Sequence, residues 1–211
     1  MRLAVIGASG ATGRRVVERA LAKGHPVIAV SRRLTDDIAP RDQLAYRAAD
    51  VRDQESLMPA LEGCDAAIST IGPAQNLDPG DLMSVGIRNI ISACAQAKVP
   101  NFVMQSGITL SDGSELSFGD RLALRPIQYI YRKAIADKRV AEASIRTSNL
   151  DWVIVRAAGL KDMPATSTHR VGPHARIALL RPLSFADCAD CLVRAASMEA
   201  DWRGQIINVG M

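Results

Sequence analysis

Thirteen residues at the start of the chain, MRLAVIGASGATG, restrict the fold more than any other stretch. Arg2 to Ile6 is a mostly apolar run of strand length, and Gly7, Gly10 and Gly13 then punctuate the passage into a helix predicted to begin near Arg14. The first glycine permits a sharp reversal after the strand, the second lets backbone approach a bound group, and the third lets helix and sheet pack closely. Free N–H groups at the helix start, together with its dipole, favour an anion there. Gly7, Ser9, Gly10, Ala11 and Thr12 are therefore candidate pyrophosphate ligands, the two hydroxyls adding hydrogen bonds. A glycine triplet alone also occurs in plain strand-to-helix turns; the preceding strand, the following helix and a second strand with a basic end give this one its meaning.

That second strand is Pro26 to Val30, an unbroken apolar run that fits a strand buried on both faces of a parallel sheet. It ends in Ser31, Arg32 and Arg33, with no carboxylate before Asp36. An acidic residue at this tip accepts from a ribose 2′-hydroxyl, whereas a guanidinium suits a 2′-phosphate. The pattern favours NADP over NAD, the alternative being a solvated basic loop. A short strand near Leu44 to Arg47 leads to Asp50 and Val51, positioned to meet an adenine, or else a turn or helix-capping aspartate. Strand Ala66 to Ile71 finishes at Gly72 and Pro73, where a ligand can pass close to backbone at the switch point of the sheet.

Further along, the pattern predicts a helix over Leu82 to Ala97, a strand at Asn101 to Gln105 ending in Ser106 and Gly107, and a polar irregular loop over Ile108 to Leu124. One helix is expected from about Ile127 to Thr147, then a strand at Trp152 to Val155. The stretch from Leu160 to Pro182 lacks periodicity, holds His169 and His174, and offers Ile177 to Leu180 as one strand of a small hairpin. Helix Phe185 to Met198 and strand Gln205 to Val209 close the sequence. Strands and helices alternating throughout predict an α/β fold, a single-domain, doubly wound, Rossmann-like parallel sheet over residues 1–211 with helices on both faces. Substrate loops are expected near 107–126 and 157–183.

At 48% hydrophobic content in 211 residues the chain can bury a sizeable core. The start lacks the apolar run and cleavage site of a signal peptide, and no run is long enough to span a bilayer, so a cytoplasmic protein without membrane partners is expected. Cys188 and Cys191 form a CxxC within an amphipathic helix, without further ligands at metal spacing; with Cys64 and Cys94 they read as buried thiols, and no metal is expected. The net charge of +4 is spread along the chain and aromatics are only 4%, which argues against nucleic acid and for a basic site holding an anionic cofactor.

With GASGATG, Ser31-Arg32-Arg33, Asp50-Val51, Gly72 and Ser106 in that order, the chain resembles an atypical short-chain dehydrogenase/reductase of the NmrA-like NAD(P)-binding superfamily. The segments GPAQNLDPGDLMSVG (Gly72 to Gly86) and SGITLSD (Ser106 to Asp112) are most similar to the biliverdin-IXβ and flavin reductase group. The resemblance implies that Gly7, Ser9, Gly10, Ala11 and Thr12 hold the pyrophosphate, Ser31, Arg32 and Arg33 the 2′-phosphate, and Asp50 and Val51 the adenine. It places Thr70, Ile71, Gly72 and Pro73 at the middle of the cofactor and makes Ser106, beside the nicotinamide, an active-site serine. Members of the wider superfamily pair a tyrosine with a lysine four residues later. Tyr129 and Lys133 have that spacing, but counting back from the strand at Trp152 puts the lysine at Lys138 and the tyrosine at Ala134. The implied activity is NADPH-dependent reduction of a flat, electron-poor acceptor such as a flavin, quinone or tetrapyrrole, with Ser106 and Lys138 catalytic, in a monomer or homodimer. The alternative is an NADP(H)-sensing regulatory protein without turnover.

Overall fold

The computed structural model describes residues 1–32, 42–73, 76–197 and 201–211. The chain runs β1 (Leu3–Ile6), α1 (Ala11–Ala22), β2 (Val27–Ser31), β3 (Leu44–Ala48), α2 (Gln54–Leu61), β4 (Ala66–Ser69), α3 (Leu82–Gln96) and β5 (Asn101–Gly107). After a 3₁₀ turn at Ile108–Leu110 come α4 (Phe118–Ile130), α5 (Arg132–Arg146), β6 (Asp151–Ala157), β7 (Leu160–Lys161), β8 (Arg170–Gly172), β9 (Leu183–Ser184), α6 (Phe185–Ala196) and β10 (Gln205–Gly210).

Eight of the described strands form one sheet in the order β3-β2-β1-β4-β5-β6-β10-β8. All neighbours run parallel except β8, which pairs antiparallel with β10. From β1 the chain works outward through β2 and β3, then returns across β1 to β4. The two directions diverge between β1 and β4, so the ends of these strands open the crevice in which doubly wound sheets bind ligands. This is an α/β fold with a large, mostly parallel sheet flanked by helices. Buried Val16, Val17 and Ala20 of α1 and Leu192 and Val193 of α6 cover one face. Leu57 of α2, Ile87 and Ile90 of α3 and Ile145 of α5 cover the other. No helix among the described residues is long and apolar enough to cross a membrane.

Several boundaries correct the sequence reading. Helix α1 begins at Ala11 rather than Arg14, because Gly10 is extended and serves as its N-cap, which draws Thr12 and Gly13 into the first turn. The expected loop over 108–124 contains the start of α4, where Ser117 accepts from the Asp120 N–H and donates to its carboxylate. The helix expected from Ile127 to Thr147 is two helices, interrupted at Tyr131 (φ −93°, ψ 16°). They part because they pack on different surfaces: α5 lies on the sheet, while Leu124 and Ile127 of α4 join a separate cluster with Ile108, Leu116, Ile177 and Leu179. Ile177 to Leu180 is not a strand. Ile177 and Leu179 join that cluster, and the added strand is β8, antiparallel in a sheet read as wholly parallel.

All four cysteines are free and buried. Burial pushes the thiols up, to about 11 at Cys64 and about 12 at Cys94 and Cys191, and Cys188 is raised as well. They are inert packing groups.

Candidate functional site

The glycine turn is built by contact. Gly7 adopts φ +86°, a conformation that side chains rarely tolerate. A Cβ on Gly13 would stand 2.2 Å from the Gly7 carbonyl oxygen and 2.8 Å from the Ala8 Cα. Helix α1 therefore approaches the end of β1 as closely as backbone allows. The Thr70 hydroxyl lies within hydrogen-bond reach of the Ile6 and Gly7 carbonyls, at 3.1 and 3.2 Å, and ties the end of β4 to the turn. Arg14 Nε donates to the Ser9 carbonyl at 3.0 Å and braces the outside of the loop. Helix α1 has no side-chain cap and no acidic residue in its first turn, so its leading N–H groups have no protein acceptor of that kind. That donor set fits a dinucleotide pyrophosphate.

Toward β2 the chain places Ser31 and Arg32 beside Ala49 and Asp50, because the Ala49 N–H donates to the Ser31 carbonyl. The Arg32 guanidinium is exposed and, among the described residues, has no ion-pair partner. Arg33 lies outside the described residues. Asp50 spends Oδ1 on the Arg52 N–H, forming a turn, and the cap of α2 is Asp53. Val51 is a core residue, and its carbonyl accepts from Asn89. Of the pair, Asp50 is the more available to a ligand.

From the glycine turn a cleft of about 560 Å³ runs across the ends of β4, β5 and β6. Gly10, Ala11 and Thr12 line one end and Thr70, Ile71, Gly72 and Pro73 its middle. Ser106 and Lys138 stand deeper, with Gln105 and Thr109 nearby. Leu110, Ile127, Ile135, Leu160 and Phe185 make the far chamber apolar. Gly7, Ser9, Ser31, Arg32, Asp50 and Val51 are not part of this wall; the first two belong to the turn itself and the others to the β2–β3 edge. His169 and His174 do not line it either. His169 has a side chain only 9% exposed, 3.5 Å from Asp187.

Ser106 Oγ donates to Glu142 Oε1 at 2.7 Å. The direction is fixed, because a carboxylate only accepts. Arg156 holds the same carboxylate through Nε and Nη2, at 3.2 and 2.6 Å. The serine proton is thus committed inward, and its lone pairs face the cleft as acceptors. Lys138 reaches over β5, such that a Cβ on Gly107 would lie 4.0 Å from Nζ. Burial pulls its pKa below the ordinary lysine value, against the carboxylates of Glu142 and Asp137, which work to keep the proton. Lys133, by contrast, is an exposed partner of Asp78, so of the two lysines Lys138 faces the cleft.

Sequence reasoning assigned no role to Glu142, Arg156, Tyr131, Gln105 or Thr109. Helical spacing offered a signal for two of them. Glu142 falls one turn after Lys138 and Tyr131 two turns before it, on one stripe.

A doubly wound sheet with a glycine cradle at its switch point defines a dinucleotide-binding protein. The chain belongs to the NAD(P)H-binding family, whose model matches residues 7–199. It is 28% identical over 162 residues to the photosystem II assembly factor Ycf39 of a Synechocystis strain, an alignment covering 75% of this chain and 45% of that protein. The chain spans about half the length of the curated relatives it matches. Among solved structures, ChuY of Escherichia coli O157:H7, described as an anaerobillin reductase, superposes with a TM-score of 0.78 at 23% identity, covering 100% of this chain and 97% of that one. A short-chain dehydrogenase/reductase from Veillonella parvula in complex with NADP gives 0.81 at 16% identity, covering 100% and 94%. These likenesses establish the fold.

Proposed function

We propose that the protein is an NADPH-dependent reductase of a flat, electron-poor acceptor, related to the biliverdin-IXβ and flavin reductase group. The observation that carries this reading is the continuity of the cleft. One end is the uncapped helix N-terminus, and the other is an apolar chamber bordered by Ser106 and Lys138. In this reading the turn residues hold the pyrophosphate, Arg32 the 2′-phosphate and Asp50 the adenine. Bound reduced nicotinamide supplies a hydride. Ser106, its proton fixed on Glu142, accepts from an N–H of the carboxamide or the acceptor and sets its orientation. Lys138 keeps a positive charge beside the site where the acceptor gains negative charge. The aliphatic walls and Phe185 pack on a planar molecule and exclude water, so alignment contributes several kcal/mol, on the order of the effective-molarity advantage of a bimolecular step. A tetrapyrrole is the first acceptor to try, given the described activity of the ChuY neighbour.

The decisive experiment follows NADPH oxidation against biliverdin, FMN, riboflavin and small quinones, with cofactor affinity measured in parallel. Acceptor-dependent oxidation supports the reductase. Tight NADPH binding without oxidation by any of them favours the second reading, a nucleotide-sensing regulatory protein. That reading draws on the similarity to a relative described as an assembly factor.

A further inference from the structure

The hydrogen bonds of the cleft leave one hydroxyl fit to release a proton. Ser106 has given its hydrogen to Glu142, and Thr70 is engaged with the β1 carbonyls. Thr109 carries an aliphatic hydroxyl, too weak an acid for the task. The Lys138 ammonium is not a hydroxyl, and in the reductase reading it stays charged beside the anion, burial lowering its pKa against the pull of Glu142 and Asp137. Tyr131 remains. It lines the cleft, and its phenol makes no hydrogen bond among the described residues.

Its backbone is held from both sides although it interrupts two helices. The Tyr131 N–H donates to the Ile127 carbonyl, and its own carbonyl accepts from the Ile135 N–H, at 3.0 and 2.9 Å. Lys138 follows seven residues later, two turns and about 10 Å along the axis, and a helical side chain leans back toward the N-terminus. Between them Ala134 contributes only a methyl group to the wall. The two free donors of this stripe thus flank a recess.

We propose that Tyr131 is the proton donor to the reduced acceptor. The inference rests on the reductase reading. The acceptor carbon gains a hydride, two electrons with one hydrogen, from reduced nicotinamide. The negative charge left on its conjugated nitrogen or oxygen takes the proton as the Tyr131 O–H bond breaks. The phenolate recovers a proton from water after product leaves, so each turnover consumes one NADPH and one solvent proton.

The test is Tyr131→Phe, which keeps the ring and removes the hydroxyl. With biliverdin, kcat should fall about 100-fold, the scale of a lost general acid, with NADPH affinity unchanged and imidazole buffer restoring part of the loss. With FMN, whose reduced form persists as the N1 anion in mildly alkaline buffer, the loss should be small. Biliverdin turnover at the wild-type rate in the variant overturns the proposal. If the wild-type protein oxidises NADPH with none of the acceptors, the reductase reading fails, and binding in the presence of NADP⁺ decides the contact separately. Weaker biliverdin binding to the variant than to wild type keeps the phenol at the ligand; equal binding, or none by either, removes it.

Discussion

Arg32 and Ser106 stand at the ends of strands β2 and β5, three strands apart and roughly 14 Å at ordinary interstrand spacing, and their replacement separates the two halves of the proposed ligand. Arg32→Ala removes charge-assisted hydrogen bonds worth about 1.5–3 kcal/mol, so NADPH affinity should drop at least tenfold while NADH affinity changes little. Isothermal titration with both cofactors reads the difference, and equal losses would remove the 2′-phosphate role. Ser106→Ala should slow turnover and spare NADPH affinity. A third residue carries a pH signature. Burial holds Lys138 below its ordinary value of 10.5, so between the lowered pKa and that value the unfolded chain binds more protons than the folded one. Stability from this group therefore grows as pH rises across the window. The four buried thiols, raised by the fold, tilt the profile the other way in both proteins, so the difference reads Lys138: in urea unfolding from pH 7 upward wild type should gain stability relative to Lys138→Met, and a constant difference would place the ammonium in water.

At the scale of elements, α5 sets the site through a contact that local sequence does not announce. The N-terminus of α3 has no cap hydrogen bond from Asp81; instead the buried Asp137 of α5 accepts from the Met83 and Ser84 N–H groups, at 2.7 and 3.0 Å. One residue later on the same helix is Lys138. Asp137→Ala should cost about 1–3 kcal/mol, the penalty for stranding buried donors, and should loosen Lys138 as α5 loses its anchor. Chemical denaturation of the variant measures the first effect, and turnover the second. This long-range cap also shows where reading from sequence ends. The glycine turn, the buried runs of β1 and β2 and the arginine beyond β2 announce themselves through local spacing, whereas Ser106 and Lys138 come from the family resemblance, local spacing alone pointing to Lys133. Glu142 and Asp137 look like ordinary polar residues on a helix, because their partners are distant in sequence. The break at Tyr131 was hidden in the same way: the stretch through it is locally helical, and the separation of α4 from α5 comes from the cluster around Ile177, more than forty residues onward.

For the whole molecule, the question is whether these 211 residues hold a dinucleotide unaided, since they span about half the length of the curated relatives. The parts of the proposed cradle lie far apart in sequence, at the end of β1, the end of β4 and the end of β5, and only the folded sheet brings them together. A ligand that binds there binds the native state and not the unfolded chain, and stabilises by mass action. At a hundred times its Kd, NADPH should add about 2.7 kcal/mol. A chain of this size shifts by about 2–4 °C per kcal/mol, so one cooperative transition should move up by roughly 5–10 °C. Two transitions, only one of them shifted, would contradict a single domain. Gly13→Ala supplies the control, because the added methyl collides with the Gly7 carbonyl at 2.2 Å and cannot yield without moving α1 off the sheet. That variant should melt lower and lose the NADPH shift. If it melts lower but keeps the full shift, the cofactor is held somewhere other than the glycine turn.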